Sequence, residues 1–394
     1  MEFSRRGSGS VKWDLAAQDV LPMWVADMDL PAPEAVIESL HKRLEHPYLG
    51  YGMVQPDFYE SFSGWAKRRQ GWNPVPEWLE FIPSVMAGLR LAVDEFSSPG
   101  DGVIVPSPVY HPFLEVPGHR GRKRVDWYLQ FSHSDGQYHM DIDRLRELAE
   151  LKENSVLLLC NPHNPLGKVW SPEELAELLE VCIENDVAVI SDEIHADLVY
   201  SGGTFTPLIP VLREMDPAHP AVSIQSPSKT FNIPGIASAL YISSSRDLLK
   251  RLRARAAAWG HELPNVLALE AATAAYRHGD GWMDETLALL ESNRNVVTDF
   301  VDQTISPLGL EESPVPMGTY LYWLDLRQGE RIKGIHGVDS YRNLKKQAGL
   351  WLSPGYQFSP EDSSHGSGFF RMNFACPRQL LNEGLSRLEK WLEE

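Results

Sequence analysis

Two apolar runs of strand length bracket one well-marked helix near the middle of the chain, and that arrangement allows few folds. Ser155-Val156-Leu157-Leu158-Leu159-Cys160 reads as a buried strand. Ser171 then offers an N-cap, Pro172 fits the first helical position and Glu174 stands where a capping box needs it, so a helix is expected over 172–185. Val187-Ala188-Val189-Ile190 follows, apolar and mostly β-branched, and runs into Ser191 and Asp192. Strand, helix and strand in this order make a βαβ unit, whose parallel strands are covered on both faces. The fold class is therefore α/β, with a mostly parallel, doubly wound sheet.

At 394 residues the chain exceeds one simple core. The turn Gly279-Asp280-Gly281 precedes a long helical stretch over about 283–305 and marks a boundary. Three parts are expected: an N-terminal segment, 1–47, packing with a small domain; a large domain, 48–281; and the small α+β domain itself, 282–394. Further strands are expected at 221–225, 237–243, 319–326 and 370–376, with helices at 247–259 and 339–348. In the last strand Phe370, Met372, Phe374 and Cys376 share one face, leaving Arg371 and Asn373 on the other.

The formal net charge of −18 argues against a nucleic-acid or anionic-membrane surface, which would need clustered Lys and Arg, so a small-molecule substrate is expected. Three cysteines, Cys160, Cys182 and Cys376, show neither a close pair nor ligand spacing. A reducing cytoplasm fits them, and neither a disulfide framework nor a metal site is expected. The first ten residues carry no apolar core of signal-peptide length and no stretch approaches an uncharged 18-residue span, so the expectation is a soluble protein.

Lys229 stands in Ser226-Pro227-Ser228-Lys229-Thr230-Phe231-Asn232, directly after the strand-like Ala221-Val222-Ser223-Ile224-Gln225. A lysine between small hydroxyl residues at a strand end is badly placed for a solvated charge and well placed for Schiff-base chemistry. That reading requires a carboxylate facing the nitrogen of a pyridinium cofactor at another strand end, and Asp192 supplies one. By residue type alone each position also has an ordinary reading: surface lysine and strand-end cap here, loop aromatic or core histidine elsewhere.

Six segments in order resemble one family: Arg5-Arg6-Gly7-Ser8-Gly9-Ser10-Val11-Lys12-Trp13-Asp14, Met23-Trp24-Val25-Ala26-Asp27-Met28-Asp29, Asn161-Pro162-His163-Asn164-Pro165-Leu166-Gly167, Ser191-Asp192-Glu193-Ile194-His195, Ser228-Lys229-Thr230-Phe231-Asn232 and Arg371-Met372-Asn373-Phe374-Ala375-Cys376-Pro377. Together they resemble the fold-type I pyridoxal-phosphate enzymes of the aspartate aminotransferase superfamily, and within it the cystathionine β-lyase-like carbon–sulfur lyases of the MalY/PatB type. The resemblance implies pyridoxal 5'-phosphate as cofactor, with Lys229 as its covalent anchor and general base, and Asp192 at its ring nitrogen. It also implies Tyr110 stacked on the ring, and Asn164 and His195 near the phenolic oxygen. His195 replaces a tyrosine common in aminotransferases, which favours the lyase branch.

For the phosphate, the resemblance implies Val85 and Met86 at a helix start together with Ser226 and Ser228. The family usually has glycine near Ser84 and a second proline near Ala87; serine can cap that helix instead. Tyr51 would cross from a neighbouring subunit, which makes a homodimer with shared active sites. Arg371 would grip the substrate α-carboxylate, helped by Asn164 and Ala26. The Trp24 region and the stretch 356–367 would wall the side-chain pocket. The implied reaction is β-elimination from cystathionine or another cysteine S-conjugate, giving thiol, pyruvate and ammonia. Transamination, or a specialised outcome such as decarboxylative deamination, would use the same residues, and a regulatory protein without activity is the alternative from outside catalysis.

Overall fold

The computed structural model describes residues 5–310, 312–327, 337–361 and 365–393. Met1-Glu2-Phe3-Ser4 and positions 362–364 of the expected pocket wall lie outside the described residues. The central sheet is built from β1 (Leu79–Ile82), β2 (Gly102–Ser107), β3 (Lys123–Tyr128), β4 (Asn154–Cys160), β5 (Ala188–Asp192), β6 (Ala221–Gln225) and β7 (Ala239–Ile242), in the order β1-β7-β6-β5-β4-β2-β3. The contiguous strands β6 to β3 pair in parallel, as the βαβ reading requires. β7 alone runs against its neighbours on both sides. The reason is local. Between Gln225 and Ala239 the chain holds only one helical turn, Pro227–Thr230, and not the crossover helix that a parallel return needs.

Alternation along β4 feeds two cores. Val156 and Leu158 pack with Ile190, Ile224 and the helix Val85–Phe96 on one side. Leu157 and Leu159 pack with Val189, Trp170 and the helix Pro172–Glu184 on the other. That second helix carries the capping box: Ser171 Oγ accepts from Glu174 N at 3.1 Å and Glu174 Oε2 accepts from Ser171 N at 2.8 Å. It ends one residue before the expected limit.

Toward the C-terminus a second sheet joins β8 (Leu321–Asp325), β9 (Ser353–Pro354) and β10 (Phe369–Asn373), with β10 in the middle. A short parallel ladder ties Leu21–Pro22 to Leu350–Trp351. The long helix begins at Asp280, earlier than the periodicity suggests, and widens into a looser turn at Val301–Ile305. Gly279 separates it from the helix Val266–His278, and a Cβ there would stand 2.3 Å from the Phe231 ring, so only glycine lets this corner approach the Lys229 turn. Val338–Asn343 is helical and Leu344–Ala348 continues it in a wider turn, close to the expected 339–348. Among the described residues no helix is long and apolar enough to cross a membrane.

Candidate active site

Four adjacent parallel strands, β2, β4, β5 and β6, end on the same edge of the sheet, and a cavity of about 310 Å³ opens there. Ligands in open α/β sheets bind at this carboxyl edge. Asp192 is the last residue of β5, and Cys160, its register partner, is the last of β4. Gln225 ends β6 and leads into the turn that bears Lys229. Beyond β2, Tyr110 caps the helix His111–His119, and its backbone N–H donates to Asn164 O at 2.9 Å, joining two strand-end loops.

Lys229 Nζ reaches across the cavity to the Ala26 carbonyl at 2.5 Å. Burial lowers its pKa to about 8, with Asp27 and Asp192 pulling it up and Arg371 pushing it down. An amine so depressed is a usable base near neutrality. Asp192 is 3% exposed, and Ile194 N donates to its Oδ1 at 3.1 Å. Burial raises its carboxyl to about 7. His195 is held neutral: burial, then Lys229 and Arg371, depress it to about 3, and its Nδ1 is buried without a partner.

Arg371, on β10 and 5% exposed, donates from Nη1 to Asn164 Oδ1 at 2.9 Å and from Nη2 to Trp24 O at 2.8 Å. Its Cζ lies 4.8 Å from the Phe358 ring centre, and its Nε has no partner. With Oδ1 committed to the guanidinium, Asn164 has its Nδ2 left to offer a cofactor oxygen.

The opposite end of the cavity is a cup of N–H groups and hydroxyls. Ser84 caps the helix Val85–Phe96, its Oγ accepting from Ala87 N at 3.2 Å. Val85 and Met86 are first-turn residues, whose N–H groups a helix leaves without internal partners. Ser226 Oγ donates to Ser238 O at 2.7 Å and lies 2.9 Å from Ser228 Oγ; the Ser238 hydroxyl is buried without a partner.

These features fit pyridoxal phosphate at its three ends. The cup suits an anionic phosphate, the buried carboxyl of Asp192 suits a protonated ring nitrogen, and the Lys229 amine suits the aldehyde carbon. The unpartnered polar atoms of Ser238, His195 and Arg371 suit a site built around polar guests.

The structure brings Lys229, Asp192, Tyr110, His195, Asn164, Val85, Met86, Ser226, Ser228, Arg371 and Ala26 to this cavity. Tyr51 is not among them: it is 94% exposed, in a surface run with Tyr48, Leu49 and Met53. Sequence reasoning missed Tyr320, whose hydroxyl donates to Ala26 O at 2.9 Å and whose ring meets His195 edge-on at 5.8 Å. It also missed Ser238, read only as part of a strand.

The strap that carries Trp24 and Ala26 is clamped from every side. Asn373 Nδ2 donates to the carbonyls of Val25 and Asp27, each at 2.6 Å, and Asn232 Nδ2 to those of Met28 and Leu30. Lys12, 1% exposed, pairs with Asp29 at 2.7 Å, and Arg5 binds Asp27 and Asp29. The one signal for this in the sequence is the density of charge in Arg5 to Asp29, which does not say which groups pair.

The family model for class I and II aminotransferases matches residues 19–388. The chain is 36% identical to cystathionine β-lyase PatB of Bacillus subtilis strain 168, over 99% of each protein. Among solved structures it superposes on cystalysin from Treponema denticola, which contains a pyridoxal 5'-phosphate cofactor, with TM-score 0.91 and 31% identity, covering 100% of this chain and 98% of that one. The pyridoxal-phosphate-bound C–S lyase of Staphylococcus hominis gives TM-score 0.89 and 31% identity, with 100% and 98% covered. With an α/β sheet that ends in this cavity and likeness along its whole length, the chain belongs to the class I and II aminotransferase family of fold-type I pyridoxal-phosphate enzymes, in its MalY/PatB group.

Proposed function

We propose that the chain is a pyridoxal-phosphate-dependent carbon–sulfur β-lyase, which converts cystathionine or another cysteine S-conjugate and water to a thiol, pyruvate and ammonia. The observation that carries this reading is the convergence of Lys229, Asp192 and Arg371 on one cavity, in a chain whose full-length relatives are cystathionine β-lyases and C–S lyases. Pyridoxal phosphate, when bound, supplies a pyridine ring that accepts the electron pair left when substrate Cα–H breaks.

The residues divide the remaining work. Arg371 binds the α-carboxylate and, through Asn164 and the Trp24 carbonyl, orients it in a fixed plane. Lys229 takes the proton from substrate Cα, which its depressed pKa permits at neutral pH. Asp192 keeps a positive charge at the ring nitrogen favourable. Tyr110 would cover the ring, and Asn164 and neutral His195 would border its phenolic side without adding charge. Val85, Met86, Ser226 and Ser228 would hold the phosphate. As Cβ–S breaks, the sulfur leaves as thiolate and takes up a proton.

The same proposal includes a homodimer in which Tyr51 reaches the neighbouring phosphate cup; its exposure supports this. It includes the division into 1–47, 48–281 and 282–394, supported by the Leu21–Pro22 ladder to Leu350–Trp351 and the corner at Gly279. It also includes a cytoplasmic setting, supported by three buried cysteines that are all unpaired.

The test supplies cystathionine and S-alkyl cysteines to the holoenzyme and measures pyruvate and thiol together, with Lys229→Ala as control. Both products should appear in equal amounts and vanish in the variant. Turnover with a keto acid and no elimination from any thioether would sink the lyase reading in favour of transamination.

A further inference from the structure

Resting on the lyase reading, the walls of the same cavity define which thioether fits it. Among the described residues that line the cavity, the carboxylates and cations are Asp192, Lys229 and Arg371, and each already has a task at the ring nitrogen, the α-proton or the α-carboxylate. Among the other lining residues, Trp24 and Phe358 touch Arg371, and Val25, His111 and Gln357 adjoin them.

These walls are aromatic and braced. Trp24 stacks on Trp351 at 4.4 Å with the planes 2° apart, and Lys345 Nζ stands 3.1 Å from the Trp351 ring centre. Because Trp24 covers one face of Trp351, Lys345 covers the other, so its charge is spent behind the wall and not inside the cavity. Phe358 is 1% exposed and is held edge-on by Trp323 at 5.5 Å. His111 meets Phe358 edge-on at 6.3 Å and Tyr110 at 5.0 Å. Burial and Arg371 lower the pKa of His111, so it adds no cation at neutral pH.

We propose that the enzyme selects cysteine thioethers with an uncharged, apolar sulfur substituent, aromatic ones above all, over cystathionine. Cystathionine carries a second ammonium and carboxylate beyond its sulfur. Among the described residues of this chain that line the cavity, neither would meet a free opposite charge as it lost water, a cost that apolar groups do not carry. A benzyl or phenyl group would instead bury its area against Trp24 and Phe358.

The test compares kcat/KM of the holoenzyme for S-benzyl-L-cysteine, S-methyl-L-cysteine and L-cystathionine by pyruvate release, with β-chloro-L-alanine as a substrate that eliminates without any thioether. The expected order is S-benzyl first and cystathionine last, the two separated by about tenfold or more. Gln357 is exposed at the mouth of the cavity, so Gln357→Arg tests the missing charge with little risk to folding: it should raise kcat/KM for cystathionine relative to S-benzyl-L-cysteine. Cystathionine turned over as well as or better than the benzyl compound overturns the inference and leaves the lyase reading intact. No pyruvate from any of the four compounds overturns both.

Discussion

Arg371 Nη1 and Asn164 Oδ1, 207 positions apart in sequence, share a 2.9 Å hydrogen bond inside the cavity. The residue proposed to grip the substrate and the one proposed to border the cofactor ring are thus a single unit, further fixed by the Arg371 bond to Trp24 O. Arg371→Lys keeps the charge but loses the planar fork that makes both bonds. We expect KM for a cysteine thioether to rise and kcat/KM to fall about 100-fold, the worth of about one charge-assisted hydrogen bond, since lysine keeps the charge and one contact. Steady-state kinetics checks this; an unchanged KM would remove Arg371 from substrate binding.

Asp192 should make the cofactor-free protein sensitive to pH in a defined direction. Its carboxyl titrates near 3.9 when unfolded and at about 7 in the fold, where burial raises it. Between those values the folded chain keeps a proton that the unfolded chain releases, so this group lowers stability as pH climbs from about 4 to about 7. His195 works in the opposite sense: depressed to about 3, it adds stability that is lost as pH falls below its unfolded value near 6.5. Comparing the cofactor-free protein with its Asp192→Asn variant isolates the carboxylate. The variant should gain relative stability from about pH 4 to about pH 7, by no more than about 4 kcal/mol. Urea unfolding at several pH values reads this, and a difference that does not change with pH would contradict it.

How much of this was legible in the sequence follows from what each signal depends on. Asp192 and Lys229 were readable because their signals are local: each follows a short strand-like run, with β5 ending at Asp192 and β6 ending at Gln225, just before the turn that bears Lys229. The Ser171 capping box and the Ser84 cap were legible for the same reason, since a cap joins residues three apart. Tyr320 was not, because its partner Ala26 lies 294 positions away in the chain, and Ser238 was not, because its buried hydroxyl has no partner among the described residues and a serine at a strand start looks alike in any core. The reversal of β7 depends on the length of one connection, which composition does not report. Lys12 reads as a surface lysine until Asp29 is seen beside it.

Behind the two catalytic candidates lies a buried polar chain that should carry stability. Gln225 Nε2 donates to Glu193 Oε2 at 3.0 Å, and Gln225 and Gln70 exchange amide hydrogen bonds at 3.2 and 2.9 Å. Gln70 Nε2 also reaches Asp197 Oδ1 at 2.9 Å, and Thr230, next to Lys229, donates to Asp197 Oδ2 at 2.8 Å. Burial raises the pKa of both Glu193 and Asp197. Gln225→Leu leaves Glu193 short of one donor and Gln70 short of one of its partners, and should cost about 3 kcal/mol. The urea midpoint checks it; a loss under about 1 kcal/mol would show that the chain adapts around the gap.

Tyr51 offers the sharpest test of a shared site. Gly52 runs so close to the Pro264 carbonyl that a Cβ would stand 2.7 Å from it, which pins this segment to the surface while leaving Tyr51 94% exposed. Tyr48, Leu49 and Met53 are exposed beside it, an apolar run that a second copy of the chain would cover. If the tyrosine serves the neighbouring cup, Tyr51→Ala and Lys229→Ala fail for different reasons in different subunits. Mixed dimers of the two then contain one site with an intact lysine from one chain and an intact tyrosine from the other. Co-expression of the differently tagged variants, followed by isolation of the mixed species, should therefore restore pyruvate release that neither variant shows alone. If Tyr51 served its own chain instead, every site in the mixed dimer would lack one of the two groups, and no activity would return.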